Sequence, residues 1–372
     1  MSTPTAAKPE NPERSFPKPQ FTDAEAGALE FPSSTSRSYS YFTPEKLRAT
    51  MYEDVTLDVQ PDPERHLYQG WIYGFRDGPG GYPKEWTALK SSDWHQFRDP
   101  NGEWEQTIFR NNANVVRQVQ QNLANAQLAK AYDSWTPAWT RFVERNLGAW
   151  MHAEHGLGLH VFTAVQRSGP TNMINTAVAV NSAHKLRFAQ DLALYNLDLS
   201  EVVEGFNGDV HREVWQTDPV WQGVRENVEL LTAASDWAEA VFATNVVYEQ
   251  LVGVLFRSHL VMQIAARNGD YVTPSLVGSG EHDYSRDQAY TRALFAMLVR
   301  DEAHGEANKA KLSEWLAVWV PRSLKAAQDL QPIWSQPLER VMPFAESFEA
   351  AKDGLRTLLL KDLGIDVPKE LN

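Results

Sequence analysis

The sequence contains no cysteine. That excludes disulfides, thiolate metal sites and cysteine nucleophiles, and it suits a cytoplasmic protein. No run of about 18 apolar residues occurs, so no membrane span is expected. Basic charge is in short supply: 35 Lys and Arg stand against 48 Asp and Glu, a net charge of −13. No basic excess is available for phosphates, which argues against nucleic-acid binding. Residues 1–40 lack the apolar stretch of a signal peptide. No Gly-x-Gly-x-x-Gly follows a strand, and neither a Walker loop nor Gly-x-Ser-x-Gly is found. Gly78-Pro79-Gly80-Gly81 lacks the Lys and the following helix of a phosphate loop. Period-two alternation is rare, so strands are expected to be scarce.

What the chain does have is apolar and aromatic mass. Hydrophobic residues make up 42%, with 13 Trp and 16 Phe, enough for large buried surfaces within the chain or between subunits. Residues 1–101 read as an extended, irregular arm with loops. Pro4, Pro9, Pro12, Pro17 and Pro19 forbid an early helix, and Phe21, Phe31, Tyr39, Tyr41 and Phe42 come after them without a period. Trp71, Tyr73, Phe75, Trp86, Trp94 and Phe97 crowd the turn-rich piece after it and need a surface, either this protein's body or a partner chain.

Residues 102–330 read as a helical domain and 331–372 as a helical tail. The expected helices cover 103–131, 135–166 with Pro137 in its first turn, 172–199, two short pieces in 209–233 split at Asp218-Pro219, 235–267 ending at Asn268-Gly269, and 284–315 after a loop at 268–283. Pro321 and Pro332 are expected to punctuate the helices after residue 315. Four long helices, with a connection at 200–235 long enough to cross a bundle, indicate an all-α, ferritin-like fold.

Each long helix has an apolar stripe interrupted once by an ionisable residue. These are Glu154, Lys185, Glu249 and Asp301. A di-iron bundle needs Glu-x-x-His on two helices and one Glu on each of the other two. Among the ten His, only His304 has an acid three residues earlier, Asp301, and no Glu-x-x-His exists. Three carboxylates and a lysine therefore read as a buried polar network, with Arg187 or Arg257 as further partners, because buried charges must be paired. His152 and His155 are expected to flank Glu154 or touch another chain, and His282-Asp283-Tyr284 to lie in or beside a loop.

Several segments resemble the small (β) subunits of the hydroxylases of soluble bacterial di-iron monooxygenases, a family acting on methane, toluene, phenol, alkenes, propane and tetrahydrofuran. They are Phe16-Pro17-Lys18-Pro19, Ser38-Tyr39-Ser40-Tyr41-Phe42-Thr43-Pro44, Phe97-Arg98-Asp99-Pro100 with Trp104-Glu105-Gln106, Asn146-Leu147-Gly148-Ala149-Trp150-Met151-His152-Ala153-Glu154 and Arg300-Asp301-Glu302-Ala303-His304-Gly305-Glu306. Gly70-Trp71-Ile72-Tyr73-Gly74-Phe75 and Asn172-Met173-Ile174-Asn175-Thr176-Ala177-Val178-Ala179-Val180 are similar above all to the propane-oxidising branch.

The resemblance implies a ferritin-like (ribonucleotide-reductase-like) fold homologous to the large (α) subunit but without its iron. The large subunit's two Glu-x-x-His pairs would fall on Lys185 and Phe188, and on Glu302 and Gly305. The second placement differs by one residue from the stripe that gave Asp301, and both registers remain open at this point. The resemblance further implies a non-catalytic subunit of an α2β2 hydroxylase, with di-iron in α. NADH would supply electrons through a reductase with FAD and a 2Fe-2S cluster, a small coupling protein would gate the reaction, and propane would become 2-propanol, with acetone, phenol or related small molecules as further substrates. No catalytic, cofactor-binding or metal-binding residue is carried over to this chain. The rivals are a tetrahydrofuran or phenol/toluene-type subunit, an independent ferritin-like metalloenzyme, and an interaction scaffold unrelated to oxygenases.

Overall fold

A computed structural model describes residues 44, 46, 49–57, 86–336 and 343–372. The aromatic arm, the Gly78–Pro83 turn and the segment 70–75 lie outside the described residues. Within them the chain is helical and has no strand. No helix there is long and apolar enough to cross a membrane.

The helices begin where local chemistry satisfies their free N–H groups. α1 (Glu105–Leu128) starts after Trp104, whose N–H donates to the Thr107 hydroxyl at 2.8 Å. α2 (137–165) has Thr136 as its cap, accepting from the Trp139 N–H at 3.2 Å, and Pro137 in its first turn. α3 (Asn172–Val202) is capped by Thr171. α4 (Val210–Thr217) and α5 (Pro219–Thr232) divide at Asp218, which caps α5. α6 (237–262) is capped by Asp236, and the chain leaves it through Gly269 at φ +83°. A Cβ there would lie 2.1 Å from the Ser134 carbonyl oxygen, so only glycine fits. α7 (Thr273–Val299), α8 (Gly305–Asp329) and α9 (Phe344–Thr357, continuing as Leu358–Leu363) complete the body.

α2, α3, α6 and α7 form the central bundle. α6 is its axis and is apolar nearly all round, as a fully enclosed helix must be: Val241, Phe242, Val246, Val247, Leu251, Val252, Leu255 and Phe256 are all inaccessible. α4 and α5 cross outside α2, while α8 and α9 cover the far side of α6. Ala351, Leu355, Leu358, Leu359 and Leu363 are buried there, so the C-terminal helix is part of the same core rather than an appended tail. Wider π-helical turns run through α2 at Val143–Leu147 and Leu157–Phe162, and through α6 at Ala243–Gly253 and Leu255–Met262. They bracket or carry the charged residues Glu154, Glu249 and Arg257.

The structure corrects the sequence reading after residue 268. The expected loop at 268–283 is short, because Thr273-Pro274 starts α7. The expected helix 284–315 is two helices, with a turn at 300–304. Asp301 makes that turn: its carboxylate accepts from the N–H groups of Ala303 and His304, both at 3.0 Å, and from the N–H and hydroxyl of Ser92. Gly305 then begins α8, where a Cβ would sit 2.6 Å from the Val299 carbonyl oxygen. Pro321 lies inside α8 rather than ending it.

Candidate functional site

At the centre of the bundle four helices bring charged side chains together. Glu154 comes from α2, Lys185 from α3, Glu249 and Arg257 from α6, and Glu281 from α7. Glu154 and Glu249 are fully buried, Lys185 and Arg257 almost so. Lys185 Nζ donates to Glu249 Oε1 at 2.5 Å and lies 2.9 Å from Glu154 Oε2, an ion contact rather than a directed hydrogen bond. The Arg257 guanidinium donates to Glu154 Oε1 at 3.1 Å, to Glu249 Oε2 at 2.8 Å and to Glu281 Oε1. Two cations thus tie three carboxylates from three different helices. Trp150 adds a hydrogen bond to Glu154 Oε1 at 2.9 Å, and Ser258 one to Glu281 Oε2 at 2.7 Å.

Packing fixes the guanidinium. Its carbon lies 5.5 Å from the Trp150 ring and 5.2 Å from the Tyr284 ring, both within cation–π range. Gly253 makes room beneath it, because a Cβ there would be 2.3 Å from Glu249 Oε2 and 2.9 Å from Arg257 Nη1. The electrostatics agree with the geometry. Burial alone would raise the Glu249 pKa, but Arg257 and then Lys185 hold it below the usual carboxylate value. Burial likewise opposes charge on Lys185, yet Glu154 and Glu249 push its pKa above that of a free lysine.

A second buried network lies further along α3, α6 and α7. Asn245 donates to Asn181 Oδ1 at 2.7 Å and to Thr291 at 2.9 Å, and the Tyr290 hydroxyl donates to Asn181 Oδ1 at 2.7 Å. Asn181 and His184 both reach Asp287, at 2.9 and 2.8 Å. Arg187 serves this side of the core, bonded to Asp283 and Asp191. So Arg257 joins the central cluster, as the sequence allowed, and Arg187 does not.

Of the residues singled out from sequence, Glu154, Lys185 and Glu249 converge. Phe188 is buried against Gly280, where an added Cβ would lie 2.6 Å from its ring. Asp301, Glu302 and Gly305 do not converge with them. Asp301 caps the surface turn between α7 and α8, and its many N–H donors, Ser92 first, lower its pKa to about 2. Glu302 is exposed in the same turn and Gly305 starts the next helix. The acid on the fourth helix is Glu281 instead. His282-Asp283-Tyr284 belongs to α7 and not to a loop, with Asp283 and Tyr284 buried. The signal was present as Glu281-x-x-Tyr284, an acid and a ring at i,i+3 on one helix face, but it was hidden by a helix start placed too late. His152 flanks the core from outside, bonded to His211 at 2.9 Å and stacked on Trp215, while His155 is exposed.

The central cluster does not suit a metal ion. Protonated Lys185 has no lone pair to offer, and it sits on the very carboxylates that would be ligands. The residues at i+3 are Phe188 and Tyr284, not imidazoles.

Comparison with known proteins places these features among oxygenase components. The family model described as Methane/Phenol/Alkene Hydroxylase matches residues 71–302. The chain is 67% identical over 366 residues to a protein of Rhodococcus jostii (strain RHA1) named propane 2-monooxygenase, hydroxylase component small subunit, covering 98% of this chain and 99% of that one. It is 24% identical over 312 residues to the methane monooxygenase component A beta chain of Methylosinus trichosporium, covering 81% and 79%. Among solved structures, phenol hydroxylase from Pseudomonas sp. OX1 superposes with a TM-score of 0.73 at 17% identity, covering 86% of this chain and 92% of that one, a likeness of fold.

Proposed function

The chain belongs to the methane/phenol/alkene hydroxylase family, and from that premise we propose that it is the small, non-catalytic subunit of a hydroxylase that converts propane to 2-propanol. The observation that carries the non-catalytic part is the pair of fixed cations, Lys185 and Arg257, among the acids of the bundle core. A ferritin-like oxygenase needs those acids free to bind metal. Here they are held in ion pairs by side chains of the same protein. A stand-alone ferritin-like metalloenzyme is disfavoured on the same ground.

In this reading the di-iron centre, and with it oxygen activation, belongs to a large subunit. The family resemblance supplies the rest: an α2β2 hydroxylase, electrons from NADH through a reductase bearing FAD and a 2Fe-2S cluster, and a coupling protein. The small subunit contributes a rigid body. Its charged core ties α2, α3, α6 and α7 from inside by hydrogen-bonded ion pairs.

The test is reconstitution from separately purified chains. Propane oxidation, with O2 and NADH, is expected only when this chain and a large subunit are combined with reductase and coupling protein. Iron should travel with the large subunit. Turnover of propane by this chain with reductase alone refutes the division of labour.

A further inference from the structure

Four residues around the charged core form two i,i+3 pairs. Lys185 and Phe188 share a face of α3, and Glu281 and Tyr284 share a face of α7. Lys185 and Glu281 link the two pairs to Glu154 and Glu249. Lys185 reaches them directly, and Glu281 reaches them through Arg257. Phe188 lies against Gly280, next to Glu281 in sequence, and Tyr284 stacks on the Arg257 guanidinium. One acid from each of two helices, with an i,i+3 pair from each of the other two, is the layout of a di-iron carboxylate core. Only the chemistry at three of its six positions has changed, at Lys185, Phe188 and Tyr284.

We infer that Glu281 and Tyr284 are the second degenerate ligand pair of this core, and that Lys185 and Arg257 are fixed cations standing in place of two metal ions. Charge supports the substitution. Glu154, Glu249 and Glu281 carry three negative charges, against which Lys185 and Arg257 set two positive ones. Turning Lys185 into an acid and Arg257 into a neutral residue leaves four negative charges, the complement of two divalent ions. The backbone frame is therefore that of a metal site, and the side chains at a few positions decide what fills it. This rests on the reading that the native chain carries no metal.

The test uses the full chain and Co2+ alone as probe, read by thermal melting and by bound metal per chain. Lys185→Glu should melt well below wild type, or be unfolded, without Co2+, because four acids and one guanidinium cannot balance. Co2+ should restore folding. Lys185→Gln should be destabilised and gain nothing from Co2+. Combining Lys185→Glu, Phe188→His and Arg257→Leu with Tyr284→His should raise bound Co2+ toward about two per chain, the count of the full ligand set. A Lys185→Glu chain that Co2+ does not rescue overturns the inference. So does a combined variant that binds no more metal with Tyr284→His than without it. Wild-type chain that takes up Co2+ at this core would instead sink the proposed function itself. Silent wild type with silent variants sinks this inference and leaves the proposed function standing.

Discussion

Lys185→Met is the substitution that probes the charged core most sharply. It removes the ammonium from between Glu154 and Glu249 while keeping an unbranched apolar stem. Arg257 then faces three carboxylates alone. Removing one partner of a buried ion pair costs about 3–5 kcal/mol, mostly the penalty of stranding the charge left behind. In a chain of this size that corresponds to a fall in Tm of about 4–6 °C.

The stability of the core should also depend on pH. In the wild type Glu249 titrates below its unfolded value, so its contribution to stability is present above about pH 4.5 and is lost as pH falls through the folded pKa. Without Lys185 the surplus carboxylate charge disfavours ionisation, and acidification relieves it by protonating one acid. The gap in Tm between wild type and Lys185→Met should therefore narrow from pH 8 toward pH 5. Adding Glu249→Gln should recover part of the loss at pH 8, a coupling that two independent sites would lack. The assay is thermal melting by circular dichroism across that pH range. A Lys185→Met chain that melts within about 1 °C of wild type refutes the argument, given the size expected for a stranded buried charge. So does a gap that does not respond to pH.

Other expectations rest on single features. Asp301→Ala should release the Ser92 tether and speed amide exchange at residues 88–94 and 301–305, at a cost of about 1 kcal/mol or less because the turn lies at the surface. Because Asp301 titrates near pH 2, that contribution in the wild type should fade only as pH falls from about 4 toward about 2, measurable by exchange in acid. Gly305→Ala should destabilise by about 1–3 kcal/mol in denaturant melts, since its methyl would press on the Val299 carbonyl oxygen at 2.6 Å; a neutral effect contradicts the close approach. His152 is held neutral, first by burial and then by neighbouring His211, with its pKa lowered to about 4. The unfolded chain binds that proton more readily, so His152 should draw stability down as pH falls from about 6.5 toward 4, and His152→Gln should flatten that limb of the melting curve.

Much of the bundle could be read from the sequence because its signals are local. Thr136-Pro137, Thr171, Asp218-Pro219 and Gly269 mark helix ends through bonds and dihedrals within a few residues. The break between α7 and α8 escaped because its cause is distant. Apolar positions continue on both sides of it, and the turn is pinned by Ser92, more than 200 residues away along the chain. The missed break promoted Asp301, while a helix start set at 284 rather than 273 hid Glu281. Glu154, Lys185 and Glu249 were legible as interruptions of apolar stripes. Arg257 was legible only as a possible partner, for a geometric reason. It stands eight residues after Glu249, about 80° round a regular α-helix from it and so at the edge of the face, and α6 runs there in wider π turns.

Positive side chains, not iron, are expected to fill the core of this chain. Anomalous scattering at the iron edge, from crystals of this chain assembled with a large subunit, tests it most directly. Iron peaks are expected in the large subunit, with Lys185 and Arg257 density among Glu154, Glu249 and Glu281. An iron peak among those three acids would show a metal site where the two cations are expected.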